Sequence, residues 1–169
     1  MTVLLGKLLL FFGCTALGLE RSFQLRRRRA CLDGFRRALE GMTRSLRFSL
    51  EPVSALMEQG ARESRGQVAD FFAACRRAFS RGGGESWAES WQEALDACPL
   101  PLREEDRSLL GEIGRILGRY DGENQDRALT ALLARLGQRT EEAAEEARRL
   151  FRVYAALGAA GGLFAAILL

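Results

Sequence analysis

The chain has 169 residues, no histidine, four cysteines and a formal net charge of +3. Without histidine, the commonest general acid or base, and with cysteines at 14, 31, 75 and 98 in no CxxC spacing, it lacks the usual means for acid–base catalysis, a zinc site or a cofactor. Abundant Ala, Leu, Arg and Glu, with few β-branched residues and three prolines, predict helices throughout and no strands.

In chain order, residues 2–19 are apolar but for Lys7. About 20 predominantly apolar residues cross a bilayer's hydrocarbon core as a helix, so residues 1–19 are expected as a transmembrane helix. A cleaved signal peptide would open on basic residues, which the first six positions lack, and the bulky Phe12 before Gly13-Cys14 fits a lipoprotein site poorly. Phe35, Leu39, Met42 and Leu46 then recur at spacings of four, three and four, the stripe of a helix reaching toward Leu50. Pro52 ends or restarts it, and residues 52–60 read as a short helix with Val53, Leu56 and Met57 inward. The next stripe is Val68, Phe71, Phe72, Cys75 and Phe79, broken at Gly82-Gly83-Gly84. No GK[ST] follows those glycines, which rules out a P-loop.

Ser86-Trp87-Ala88-Glu89 has the form of a capping box, opening a helix with Trp87, Trp91 and Leu95 on its core side. Cys98-Pro99-Leu100-Pro101 stops it, and a further helix from Leu102 or Arg103 carries Leu109, Leu110, Ile113, Ile116, Leu117 and Tyr120. Gly111, Gly114 and Gly118 lie on or beside one face of that helix. Each costs roughly 1 kcal/mol relative to alanine, so a close neighbour is expected there, with the final helix as the plain choice. After the turn at Asp121-Gly122, the last helix shows Leu129, Leu132, Leu133, Leu136, Ala143, Ala147, Leu150 and Tyr154. It then enters residues 153–169, uncharged and expected as a second transmembrane helix. An unbroken helix of that length would be about 70 Å long and would join bilayer and domain rigidly. Gly158 and Gly162 form a GxxxG on it, a small-residue face for packing on the first span, on another protein or on a second copy in a homo-oligomer.

Charge is segregated along the central domain, residues 20–152. Residues 20–81 hold 14 arginines against 7 carboxylates, and residues 82–152 hold 10 against 15. Arg26, Arg27, Arg28 and Arg29 after the first span, with Arg148, Arg149 and Arg152 before the second, place the domain on the cytoplasmic side by the positive-inside bias. The first four are membrane-surface candidates, each contributing roughly 1 kcal/mol against anionic headgroups. A membrane-anchored lipid- or nucleic-acid-binding module is the alternative reading, but no aromatic platform or reading motif supports nucleic acid.

The stretch from Gly114 to Gln125, with Gly114, Leu117-Gly118, Asp121 and Gln125 in register, resembles the G-x-x-LG-x-x-D-x-x-x-Q signature of the stage III sporulation protein AB family. Leu17-Gly18-Leu19-Glu20 resembles that family's exit from its first span, Glu51-Pro52-Val53-Ser54-Ala55-Leu56 its TPLxxAL element, and residues 87–95 its aromatic helix. Tyr154-Ala155-Ala156-Leu157-Gly158 is similar to its C-terminal span. Glu51 stands where the family usually has threonine, and the first helix is unusually rich in arginine.

The resemblance implies an all-α bundle of about six helices, similar to the cytoplasmic domain of type II secretion and type IV pilus platform proteins, flanked by N- and C-terminal transmembrane helices. It implies a non-enzymatic platform in the mother-cell membrane around the forespore, within a secretion-like envelope complex, with a cytosolic sporulation ATPase and other membrane components as partners. Candidate partner-binding residues are the signature's Gly114, Gly118, Asp121 and Gln125. The carboxylates Glu141, Glu142, Glu145 and Glu146 join them, since an acidic surface attracts a basic patch.

Overall fold

The computed structural model describes residues 23–45, 53–81, 87–117 and 122–168, with side chains except at 53, 54, 122–126, 155 and 158–168. Six helices and no strand occur among these residues: α1 at 23–45, α2 Val53–Glu63, α3 Gln67–Arg81, α4 Trp87–Ala97, α5 Glu104–Leu117 and α6 Gly122–Leu168. They divide into two compact units. One is Ala30–Thr140; the other, in its described part, is 23–29 with 141–168, so α1 and α6 contribute to both.

In the larger unit α2 packs on α3, α3 on α4 and α4 on α5, and local chemistry sets the boundaries. α2 runs three residues past the expected Gly60, then the Ser64 N–H donates to the Gly60 carbonyl at 3.2 Å. Gly66 at φ +57° reverses the chain in a region that side-chain-bearing residues avoid. α5 starts one or two residues later than expected because Arg103 is its N-cap. The Arg103 N–H donates to Asp106 Oδ2 at 3.0 Å, and the Arg103 carbonyl accepts from the N–H groups of Asp106 and Arg107. A buried carboxylate in the first turn also suits the positive end of the helix dipole.

The expected stripes supply the core. Phe35, Leu39 and Met42 of α1, Leu56 and Met57 of α2, and Val68, Phe71, Phe72 and Cys75 of α3 are all buried. At the end of α3 Ala78 is buried and Phe79 only half-buried. On α6 Leu129, Leu132 and Leu136 are buried, while Leu133, Leu150 and Tyr154 are half-buried. Burying each large side chain contributes about 1.5–3 kcal/mol. The aromatics form one cluster: Phe35 meets Phe71 at 5.0 Å, Phe71 meets Phe72 at 5.3 Å and Trp91 at 4.8 Å, and Trp87 stacks on Trp91 at 5.7 Å. Edge-to-face and stacked pairs of this kind add about 0.5–1.5 kcal/mol beyond area burial.

Trp91 also corrects the expectation for the glycines of α5. Their neighbour is α4 and not the final helix: a Cβ at Gly114 would overlap the Trp91 indole, and one at Gly111 would lie 3.2 Å from Gln92 Oε1. The indole N–H donates to the Leu110 carbonyl at 2.9 Å. That oxygen is the one the Gly114 N–H bonds in an α-helical ladder, so the indole uses its second lone pair.

α6 is one helix of 47 residues, about 70 Å at 1.5 Å per residue. The flanking transmembrane helices are not supported: no helix among the described residues is long and apolar enough to cross a membrane. Residues 1–19 lie outside the described residues. Residues 153–168 form the end of α6, where side chains from 158 onward are also outside them.

Gly114→Ala should lower stability by about 1–3 kcal/mol, because overpacking against a walled-in indole exceeds the gain of about 1 kcal/mol in helix propensity. Gly137→Ala, with nothing within 4 Å, should instead raise stability by up to about 1 kcal/mol. Urea denaturation followed by circular dichroism checks both, and equal shifts would contradict the assigned contact.

Candidate functional site

The signature does not assemble as an exposed site in its described part. Gly114 and Leu117 are buried, the first under Trp91. Gly118 and Asp121 lie outside the described residues; Gln125 is on α6 with its side chain outside them. Gly158 and Gly162 are likewise on α6 at positions whose surroundings are not described.

Beside the buried glycine, α4 and α5 border a groove of about 500 Å³ lined by Glu89, Gln92, Asp96, Glu104, Ser108 and Arg115 among others. Arg107 fastens its end. The guanidinium donates to the Leu95 carbonyl at 2.6 Å, in the last turn of α4, and to the carbonyls of Leu100 at 3.3 Å and Cys98 at 3.5 Å in the loop that follows. Gln67 Nε2 donates to the Pro99 carbonyl at 2.7 Å from α3, a second tie on the same loop. The sequence reading missed Arg107. Its signal was only an arginine shortly after a Pro-Leu-Pro break, where nearby helix-end carbonyls need donors.

Charge dominates the smaller unit. Arg28 is 5% exposed and pairs with Glu146 at 3.5 Å, whose side chain is 39% exposed. Arg28 is therefore turned inward, in phase with Leu25, Leu32 and Phe35 at spacings of three, four and three. Arg26, Arg27 and Arg29 are exposed, and Arg26 lies 5.6 Å from the centre of the Phe151 ring. Glu141, Glu142 and Glu145 are exposed on α6. Thus of the eight charged candidates, seven reach solvent to some degree, and Glu146 is committed to a buried partner.

The free thiols Cys31 and Cys75 are packing groups. Burial pushes Cys31 up to about 12, partly opposed by Arg107 and reinforced by Asp106. Burial does the same for Cys75, also to about 12, with Cys98 and Glu93 adding to it, and the half-buried Cys98 is raised as well, chiefly by burial. Such thiols are protonated at neutral pH and poor nucleophiles.

Among the described residues the chain is all-α, and the groups described above build packing and surface. It belongs to the stage III sporulation protein AB family, whose profile matches residues 3–169, and is a sporulation protein. Its fold is similar to a solved structure titled stage III sporulation protein AB, with a TM-score of 0.67 at 20% identity, covering 72% of this chain and 97% of that one. No curated protein matches the chain.

Two outcomes follow from this geometry. Glu146→Ala removes the carboxylate that faces a buried guanidinium and should cost about 1–3 kcal/mol, below the ~3–5 kcal/mol of a fully buried pair because Glu146 is half in water. Arg28→Met, which leaves the carboxylate hydrated, should cost less, as thermal denaturation of the two variants would show. Second, stability should fall as pH rises above about 9, where the unfolded thiols ionise, and continue to fall toward about 12, where the folded ones do, since the native state holds more protons in that window. The double variant Cys31→Ala, Cys75→Ala should flatten this slope in denaturation curves taken across the same pH range.

Proposed function

We propose that the protein is a non-enzymatic platform of a multi-protein envelope complex assembled during sporulation, with its helical domain, residues 20–152, docking a cytosolic ATPase. In this reading the domain lies on the cytoplasmic side of the mother-cell membrane around the forespore, and the apolar residues 1–19 and 153–169 attach it there. What carries the reading beyond kinship is α6. A single helix holds Leu129, Leu132 and Leu136 in the core and continues to Leu168, through a sequence that has no charge after Arg152. A helix shared in this way supports transmission between a docked motor and membrane components, which is what a platform needs and an enzyme does not.

The proposed motor-facing surface is the carboxylate row of α6. Glu141, Glu142 and Glu145 are exposed and can steer a basic patch by long-range attraction. Glu146 is set apart from them, because its carboxylate neutralises Arg28. The homologous placement of a motor contact on the signature residues is less favoured, since Gly114 is consumed in packing against Trp91.

The double variant Glu141→Arg, Glu145→Arg should recover several-fold less ATPase from sporulating cells while melting at the parent temperature. Undiminished recovery would remove this face from the docking model, and a lowered melting temperature would show that the two glutamates are structural instead.

A further inference from the structure

The described residues expose four large hydrophobic side chains, and all four fall in the smaller unit: Phe23, Phe151, Val153 and Leu157, between 46% and 60% exposed. Two contacts fix the register of its helical segments. Arg28 pairs with Glu146 and Arg26 covers Phe151, so residues descending along α1 meet residues ascending along α6, and the segments are antiparallel. Continued at 1.5 Å per residue, the same register puts Phe23 level with residues 151–154, where Phe151 and Val153 are exposed, and Leu157 is exposed about a turn further along α6.

Successive levels of this unit therefore differ in chemistry. The Arg28–Glu146 pair forms the first. Beyond it come exposed guanidinium groups, Arg26 and Arg27 on α1 with Arg148, Arg149 and Arg152 on α6, while Arg29 is exposed on the turn beside Arg28. The exposed apolar side chains overlap the far end of this arginine level, Phe151 beside Arg26 and Phe23 and Val153 beside Arg152, and Leu157 lies beyond it. The sequence contains no carboxylate at 21–32 or 147–169, so beyond Glu146 nothing within these segments neutralises the arginines.

We propose that this unit is a collar for anionic phospholipid headgroups, with the exposed arginines of both helices on the phosphates and Phe23, Phe151, Val153 and Leu157 in the adjoining acyl zone. A bilayer offers phosphate and hydrocarbon within a few ångströms of each other, and arginine spans that boundary with its stem in the apolar layer and its head outside. Juxtamembrane arginines gain most from anionic lipid. A nucleic acid offers the phosphates but leaves the neighbouring apolar side chains in water, which makes it the poorer fit. Arg26 over Phe151 suits the same boundary, because the ring shields one face of a cation whose edge remains open to phosphate. The collar rests on the membrane attachment proposed above but adds a lipid preference and excludes Arg28 from the contact.

The test is reconstitution of the full chain into vesicles of phosphatidylcholine mixed with phosphatidylglycerol, reading the enrichment of spin-labelled phosphatidylglycerol over spin-labelled phosphatidylcholine at the protein. A several-fold enrichment is expected, lost when Arg26, Arg27, Arg29, Arg148, Arg149 and Arg152 are changed to Gln, retained when they are changed to Lys, and weakened by raised salt. Arg28 stays intact in every variant so that its pairing with Glu146 is undisturbed, and helicity is checked by circular dichroism. Incorporation with no lipid preference, or a preference that survives the Gln changes, overturns the collar and leaves membrane attachment standing. A chain that enters vesicles of neither composition overturns both. Duplex DNA that displaces phosphatidylglycerol from the detergent-solubilised chain overturns the collar in favour of a nucleic-acid surface.

Discussion

The seat of Trp91 on α5 is the contact on which the larger unit depends. A buried indole is stabilised by an acceptor for its N–H, and mid-helix carbonyls are already engaged along the ladder. Leu110 offers a second lone pair, but a side chain one turn later would cover it. Glycine at 114 opens that path. Once the indole is fixed there, its edge and faces order the rest: Phe71 and Phe72 of α3 meet it at 4.8 and 5.9 Å, and Phe35 of α1 meets both phenylalanines in turn. A missing Cβ on α5 thus sets the position of rings on three other helices.

This gives Gly114, the first glycine of the family signature, a physical meaning and sets it apart from Gly111 before it. In a solvent-exposed helix three glycines would cost roughly 3 kcal/mol together, and such a cost persists only against a larger gain. At Gly114 the gain is a satisfied buried donor and a closely packed indole. At Gly111 the neighbours are the flexible Gln92 amide and Leu95, which can shift, so the two positions are unequal although the pattern treats them alike. The fold is shared with a structure at 20% identity.

Much of the architecture was legible because its signals are local. The apolar spacing of α1 and α3, the Pro-Leu-Pro stop and the uninterrupted pattern of α6 depend on neighbouring residues, and each reappears with small shifts at its ends. What stayed hidden depends on residues distant in sequence. Gly114 announced a close approach but not that its partner is Trp91, 23 positions earlier, and Arg107 gave no sign of capping α4. Arg28 was hidden differently. Inside a run of four arginines it looked like one more surface charge, although its phase with Leu25, Leu32 and Phe35 already placed it on the buried stripe. Periodicity was the better guide there than composition.

The division into a basic half and an acidic half also reads differently once pairing is considered. Charge segregation along a sequence suggests two separate surfaces, yet the basic stretch at Arg28 and the acidic stretch at Glu146 meet within one unit. A buried guanidinium retained in this way contributes little net stability, since its desolvation offsets most of the attraction, but it penalises any register that separates it from the carboxylate. Where α6 offers only the small buried residues Ala143, Ala144 and Ala147, such a pair favours one alignment of the two segments. The alignment in turn keeps the exposed arginines of α1 level with those of α6. Register control by one ion pair is therefore the step that turns two charged sequence segments into a single cationic surface beside an apolar one.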